Sequence, residues 1–287
     1  MISVIVRSIR ESDIEFVYAL CKSEHWNYSR DNIERLSTCE QTRSFVAERN
    51  GKCVGHVFSI SYGKLGWIGM LIVDKEHRRR GIGTLLMKRV MNHLLHSGVT
   101  TMKLIAAPEA ANLYRKLGFI DEFESLEFTR VNKTNTCPSN LNIAQIKKNE
   151  IFEIAKFDSM YFGANRAQVL DYLCEDNPEL CFASRINNQI VGYIMCHETE
   201  IGYRIGPWIC NPDYPSIARE LILYCMGNIE ANAELCAMVP GANEAAVKLV
   251  QDLEFSLLLK GVHMYFGKKL ENGRVKGIFS VGGPEKG

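Results

Sequence analysis

Trp67-Ile-Gly-Met-Leu-Ile-Val73 runs directly into Asp74-Lys-Glu-His-Arg-Arg-Arg-Gly-Ile-Gly83, and Thr84-Leu-Leu-Met-Lys-Arg-Val-Met-Asn-His-Leu-Leu95 follows. The first segment is a short apolar run of the kind that forms an interior strand. In the third, leucine and methionine recur at helical spacing. The basic, glycine-bearing segment between them therefore falls where a strand gives way to a helix N-terminus. Unpaired N–H groups and the positive end of the helix dipole meet there, which suits a bound phosphate. Gly81 and Gly83 let an anion approach the backbone closely, while Arg78, Arg79 and Arg80 add positive charge.

Outward from this turn, the chain repeats itself. Phe45-Val-Ala-Glu-Arg-Asn-Gly-Lys-Cys-Val-Gly55 falls on Phe182-Ala-Ser-Arg-Ile-Asn-Asn-Gln-Ile-Val-Gly192, each copy reading as strand, polar turn, strand. At the same offset Ile68-Gly69 meets Ile205-Gly206, and the helix from Thr84 meets one from Leu221. With one residue dropped, Lys116-Leu-Gly-Phe119 meets Asp252-Leu-Glu-Phe255. The sequence thus divides into a domain at 1–130, a polar linker at 131–140, and a second domain at 141–287. The latter ends in a Gly- and Lys-rich stretch from Lys268, expected to be an extended tail packed on a domain. Strands alternating with helices indicate an α/β class, more fully an α+β mixed sheet, with a central twisted sheet flanked by helices in each domain. Helices are expected over Glu11–Ser23, Ser29–Leu36, Ile82–His96 and Pro108–Lys116.

Composition narrows the function. The chain has 287 residues, 46% hydrophobic and 23% charged, and a formal charge of +1. That balance gives no overall pull toward nucleic acid or an anionic membrane. No apolar run approaches the ~20 residues of a membrane span, so a soluble, cytoplasmic protein is expected. The ten cysteines include no C-x-x-C pair, so reduced thiols are expected and no metal site.

Val73-Asp-Lys-Glu-His-Arg-Arg-Arg-Gly-Ile-Gly-Thr-Leu-Leu86 resembles the acyl-coenzyme A signature of the GNAT superfamily of N-acetyltransferases. The resemblance implies a tandem arrangement of two GNAT-like domains, the first catalytic and the second degenerate. It implies that amides over Arg79–Thr84, including those of Gly81, Ile82 and Gly83, hold the coenzyme pyrophosphate with Arg78 and its neighbours. The strand end at Leu71, Ile72 and Val73 would pair with the pantetheine arm. Leu113-Tyr-Arg-Lys-Leu-Gly-Phe119 is similar to the family's second cofactor motif, which implies that Tyr114 donates a proton to the departing sulfur. Many relatives carry an asparagine where this chain has Ala107-Pro108. The implied reaction is direct attack of an amine on acetyl-CoA or another acyl-CoA; the alternative is a coenzyme-binding sensor without turnover.

An amine acceptor must also lose a proton. The central strand holds no acid, which leaves Glu48, His56, His25 or a water chain as the base. Trp26 and Asn27, in a loop between the first two helices, are expected to shape the acceptor pocket. So are Arg166 and Trp208 from the second domain, Arg166 by pairing with an acidic group on the substrate. In the second repeat Pro215, Ala218 and Glu220 stand where the first has Arg78, Gly81 and Gly83, and Val250 stands opposite Tyr114, so that copy is expected to bind no coenzyme. The expected partner is a small-molecule or peptide amine, with homodimerisation left open.

Overall fold

A computed structural model describes residues 4–133, 142–270 and 274–287. Most of the expected linker, 134–140, lies outside the described residues. The first repeat comprises β1 (Val4–Ser8), α1 (Ile14–Ser23), α2 (Arg30–Thr38), β2 (Thr42–Arg49), β3 (Lys52–Tyr62), β4 (Leu65–Val73), α3 (Ile82–His96), β5 (Thr101–Ala106), α4 (Ala111–Lys116) and β6 (Ile120–Val131). The second comprises β7 (Ile143–Gln145), α5 (Ile151–Phe162), α6 (Ala167–Asp176), β8 (Cys181–Ile186), β9 (Gln189–Glu198), β10 (Tyr203–Cys210), α7 (Pro215–Gly227), β11 (Glu234–Pro240), α8 (Glu244–Asp252) and β12 (Ser256–Gly267), with β13 (Ile278–Ser280) after it.

Local chemistry accounts for many of these boundaries. The β2–β3 hairpin turns at Asn50-Gly51 and the β8–β9 hairpin at Asn187-Asn188, all four at positive φ, as two-residue hairpin loops require. Helix α2 opens with the Ser29 hydroxyl accepting the Asn32 N–H at 3.1 Å, a side-chain N-cap. Helix α3 buries Ile82, Leu86, Val90 and Leu94 as one stripe.

Among the described residues thirteen strands form one sheet, in the order β1-β2-β3-β4-β5-β12-β6-β11-β10-β9-β8-β7, with β13 on β10. The halves exchange their closing strands. Strand β12 pairs antiparallel with β5 of the first half, Val262–Gly267 against Thr101–Ala106. Strand β6 pairs in the same way with β11 of the second half. Between them β6 and β12 run side by side, with Ser125 opposite Gly261. These two residues hold equivalent places in the repeats, so a pseudo-two-fold axis passes between them.

The sheet's two faces carry different cores. On one, α1 and α2 of the first half and α5 and α6 of the second bury a single shared cluster, in which Val17 and Ile33 join Ile154 and Leu170. On the other, α3 and α4 cover the first half, and α7 and α8 cover the second. The stretch after β13 is not an extended tail. Residues 281–287 fold back on themselves, with Gly282 N–H bonded to Gly287 O at 2.8 Å, and lie against β4.

Because β5 and β11 each find an edge partner in the other half, neither half should fold alone. Residues 1–133 expressed by themselves are expected to show no cooperative urea transition, and co-expression with 142–287 should restore one. A sharp two-state transition for the isolated fragment would contradict this dependence.

Candidate functional site

Strands β4 and β5 pair in parallel only from Leu65 opposite Thr101 to Trp67 opposite Lys103. Their separation has a local cause. On its other edge β4 pairs Gly69 with Phe58 and then Ile72 with His56, so β4 carries one extra residue there. Met70 takes φ 50° at this bulge. A bulge bends its strand and interrupts the ladder. From Ile68 to Val73, the β5-facing main chain of β4 is therefore free of ladder bonds. Leu71 and Val73 pack toward α3, whereas Ile72 points into the shared core.

At the far end of this opening lies the basic turn. Arg79 and Gly81 adopt left-handed φ of 61° and 80°, and Gly81 caps α3. The first helical bond runs from Leu85 N–H to Gly81 O at 3.1 Å, so the amides of Ile82, Gly83 and Thr84 have no intrahelical acceptor. The first turn of α3 holds no acidic residue. A Cβ on Gly81 would meet nothing within 4 Å, and one on Gly83 would lie 3.5 Å from Leu113. Packing does not demand glycine at either place, although the left-handed φ favours it at Gly81; bare backbone is what an incoming anion needs.

The three arginines divide their work. Arg78 is committed elsewhere: its Nε donates to Val73 O at 2.9 Å, and its Nη2 lies 2.7 Å from Glu24. It braces the turn against the loop after α1. Arg79 and Arg80 are exposed. Ile82 is buried in the α3 core and offers only its amide.

Tyr114 sits on α4, 7% exposed, against Phe119. Burial pushes its phenol well above the usual range, so it remains a neutral proton donor, and its hydroxyl has no hydrogen-bond partner among the described residues. Asn112, in the same segment, bonds Arg115 at 2.9 Å.

The opposite face of β4 is lined by residues that the sequence did not single out. Trp67 Nε1 donates to Pro284 O at 2.9 Å, Tyr62 to Lys286 O at 2.9 Å, and Tyr28 to the Glu285 carboxylate at 2.6 Å. A Cβ on Gly69 would come within 2.5 Å of Glu285 Cα, so glycine there admits this segment. A small cavity beside Met70 is walled by Tyr28, Tyr172, Asp176, His197 and Lys286. Within it the Tyr172 hydroxyl and His197 Nδ1 are buried without a hydrogen-bond partner among the described residues.

The expected acceptor residues fare unevenly. Trp26 packs at the margin of the shared core. Asn27 is consumed by docking: its side-chain amide donates to Ile201 O at 2.8 Å and accepts the Ile201 N–H at 2.7 Å. Arg166 is 1% exposed, bonded twice to Asp158 at 2.9 and 2.8 Å and to the main-chain oxygen of Gly287. Its charge is spent internally, not on a substrate acid. Trp208 is fully buried and packs tilted against Phe279, centroids 4.9 Å apart, in the α7–α8 core. Glu48 is paired with Arg7 at 2.9 Å.

In the second half the strand-to-helix turn is simply missing. Strand β10 ends at Cys210 and α7 starts at Pro215, so the helix begins about one turn early relative to the repeat. Glu220, expected to repel a phosphate at the helix start, lies inside α7. Val250, opposite Tyr114 in the repeat, is buried in α8.

Residues 10–119 match a family model described as the acetyltransferase (GNAT) family, and residues 154–280 match one described as the acetyltransferase (GNAT) domain. An uncharacterized N-acetyltransferase of Bacillus subtilis, YitH, is 23% identical over 208 residues, which are 70% of this chain and 71% of that protein. A crystal structure from Pyrococcus horikoshii, provisionally described as an acetyltransferase, superposes with a TM-score of 0.82 at 22% identity. It covers 99% of this chain, which in turn covers 96% of it. A tandem GNAT protein of the clavulanic acid pathway aligns with a TM-score of 0.65 at 10% identity, covering 92% of this chain and 98% of its own.

His56, a base candidate from sequence, is fully buried between Phe16 and Phe58, with the Cys21 thiol 4.0 Å away. Burial lowers its pKa from 6.5 to about 3, so it stays neutral. The unfolded chain then binds a proton below pH 6.5 that the folded chain refuses, and stability falls as pH drops from 6.5 toward 3. Between pH 6.5 and 4.5 this one group should remove about 2–3 kcal/mol. Urea unfolding across that window should show a slope about one proton smaller in His56→Gln, and an unchanged slope would refute the assignment.

Proposed function

Because the chain belongs to the GNAT acetyltransferase family in both of its halves, we propose that its first half transfers an acyl group from acyl-coenzyme A, acetyl-CoA in the simplest case, to an amine by direct attack. One observation carries this reading: a bulged strand separates from its neighbour and points at a glycine-bearing helix N-terminus whose amides lack acceptors.

The fit between this groove and the coenzyme is chemical as well as geometric. Amides of Ile82, Gly83 and Thr84, with the helix dipole behind them, suit a diphosphate, and Arg79 and Arg80 add charge from solvent. The unladdered main chain of β4 near Leu71 and Val73 offers hydrogen bonds to an extended amide-bearing arm. Acyl-coenzyme A would supply a thioester carbon open to attack and a thiolate as leaving group. Tyr114 holds its proton through burial and can deliver it to a sulfur at the mouth of α4. The acceptor would approach from the other face of β4, where Tyr28, Tyr172, His197 and Glu285 gather around Met70. No helix among the described residues is long and apolar enough to cross a membrane; a small amine is the acceptor we favour, because residues 281–287 already cover that face.

Gly83→Glu should abolish acetyl-CoA binding by calorimetry while shifting the melting temperature little, since the position is sterically open. Retained micromolar binding would remove the cradle from the reading. Tyr114→Phe should lower kcat about 10²-fold with coenzyme affinity intact, measured as thiol release with a panel of amines. Full activity in that variant would exclude Tyr114 as the acid.

A further inference from the structure

On the shared-core side of the sheet, half-buried Lys103 on β5 and Glu122 on β6 form a polar cluster with buried His263 on β12. His263 Nδ1 lies 2.9 Å from Glu122 Oε2, and Lys103 Nζ lies 3.2 Å from the same oxygen. The imidazole is stacked on Phe123, with centroids 4.4 Å apart, and edge-on to Trp67 at 5.4 Å. It is 5% exposed.

The position of this ring matters more than its burial. His263 faces Ile105 across the β5–β12 ladder, and directly paired antiparallel residues point to the same side of the sheet. Trp67 and Lys103 form the last rung joining β4 to β5. The imidazole therefore stands beside β5 two residues past the last rung, where β4 has already departed. His56 is sealed between Phe16 and Phe58, and Glu48 is held by Arg7.

We propose that His263, carried into the first half by the exchanged strand β12, is the general base that takes the acceptor's proton, oriented by Glu122. This rests on the acyl-transfer reading above. Nδ1 is the ring nitrogen nearer Glu122, 2.9 Å away but not aligned as a hydrogen bond in the resting ring; a proton held there by the carboxylate leaves the lone pair on Nε2. As the C–N bond forms, the amine N–H bond breaks and its proton passes to Nε2. The C–S bond breaks in the same exchange, sulfur taking the Tyr114 proton. The imidazolium, stabilised by Glu122, then returns its proton to solvent, and the phenol regains one.

The electrostatics suit the task. Burial lowers the His263 pKa, Glu122 opposes the shift, and Lys103 adds to it, leaving the ring neutral at pH 7. Burial pushes the Glu122 carboxyl up, but bonding to His263 and the Lys103 charge bring it down to about 2. The carboxylate therefore stays ionised and available to orient the ring. Glu122 and Lys103 are the ionisable groups facing His263 among the described residues.

Nitrogen-15 NMR of the histidine rings tests the assignment without turnover. The Nδ1–H tautomer and a midpoint below 6.5 are expected for His263, with Glu122→Gln lowering that midpoint further; an Nε2–H tautomer would overturn the proposal. In thiol-release assays with ethylamine, His263→Gln should lose about 10²-fold in kcat and the acid limb of the kcat–pH profile, with acetyl-CoA affinity by calorimetry unchanged. Equal kcat and an unchanged acid limb would overturn it. If His263→Gln fails to fold, Glu122→Gln serves instead, with a smaller kcat loss and a displaced acid limb expected, and wild-type behaviour counting against the proposal. Wild-type protein that neither binds nor turns over acetyl-CoA would bring down the acyl-transfer reading and this assignment together. Turnover unaffected by either substitution would bring down this assignment alone.

Discussion

The seam β5-β12-β6-β11 holds the molecule together, and its chemistry is main-chain hydrogen bonding across four strands drawn from both halves. An unpaired sheet edge costs free energy if buried and invites foreign strands if exposed. Each half would present such an edge at its fifth strand, and each covers it with the closing strand of the other. The same seam makes the groove beside β4 possible. A strand that gives up its ladder on one edge needs firm pairing on the other, and β5 has that from β12 along its full length. Remove the seam and the opening between β4 and β5 has no fixed wall.

Two faces of one sheet then acquire different work. The α3 side holds the glycine turn, Tyr114 and the cores of the individual halves. The other side holds a core common to both, and there the second half brings Tyr172, His197 and the 281–287 segment up to β4. A second half without a glycine turn of its own still shapes the ground in front of the bulge. Charges on that side are internalised in pairs and threes. Arg166, Asp158 and Tyr193 close one network, and Glu285 is held by Tyr28 and Lys286. Burial makes such groups costly unless satisfied, so their mutual bonds fix the spacing of helices and strands around the pocket.

Local signals carried the sequence reading. The apolar run before Asp74, the glycines and the periodic leucines lie within one short stretch, and α3 spans the expected residues. The hairpins were legible in both repeats because Asn and Gly mark tight turns. Pairing partners were not, since nothing in β6 or β12 says which half will receive it; their strand pattern is the same either way. Arg166 misled because its carboxylate partner is Asp158, one helix away, a relation that spacing does not reveal. Asn27 and Trp208 misled for a related reason: an amide or an indole reads the same whether it lines a pocket or fastens two elements. Glu285 and Lys286 were hidden in a Gly- and Lys-rich stretch whose composition suggests solvent, yet both are buried. The early start of α7 was legible in retrospect, because Pro215 is a favoured first helical residue.

Strand exchange also bears on how such a molecule can change over generations. In a chain of independent modules, recombination can transplant one unit and leave the next untouched. Here a crossover in the linker would deliver β12 to a stranger's β5, and the inherited ladder would have to match in register residue by residue. The two copies are thus bound to drift in concert, each acting as a selective filter on the other, however different their chemistry becomes.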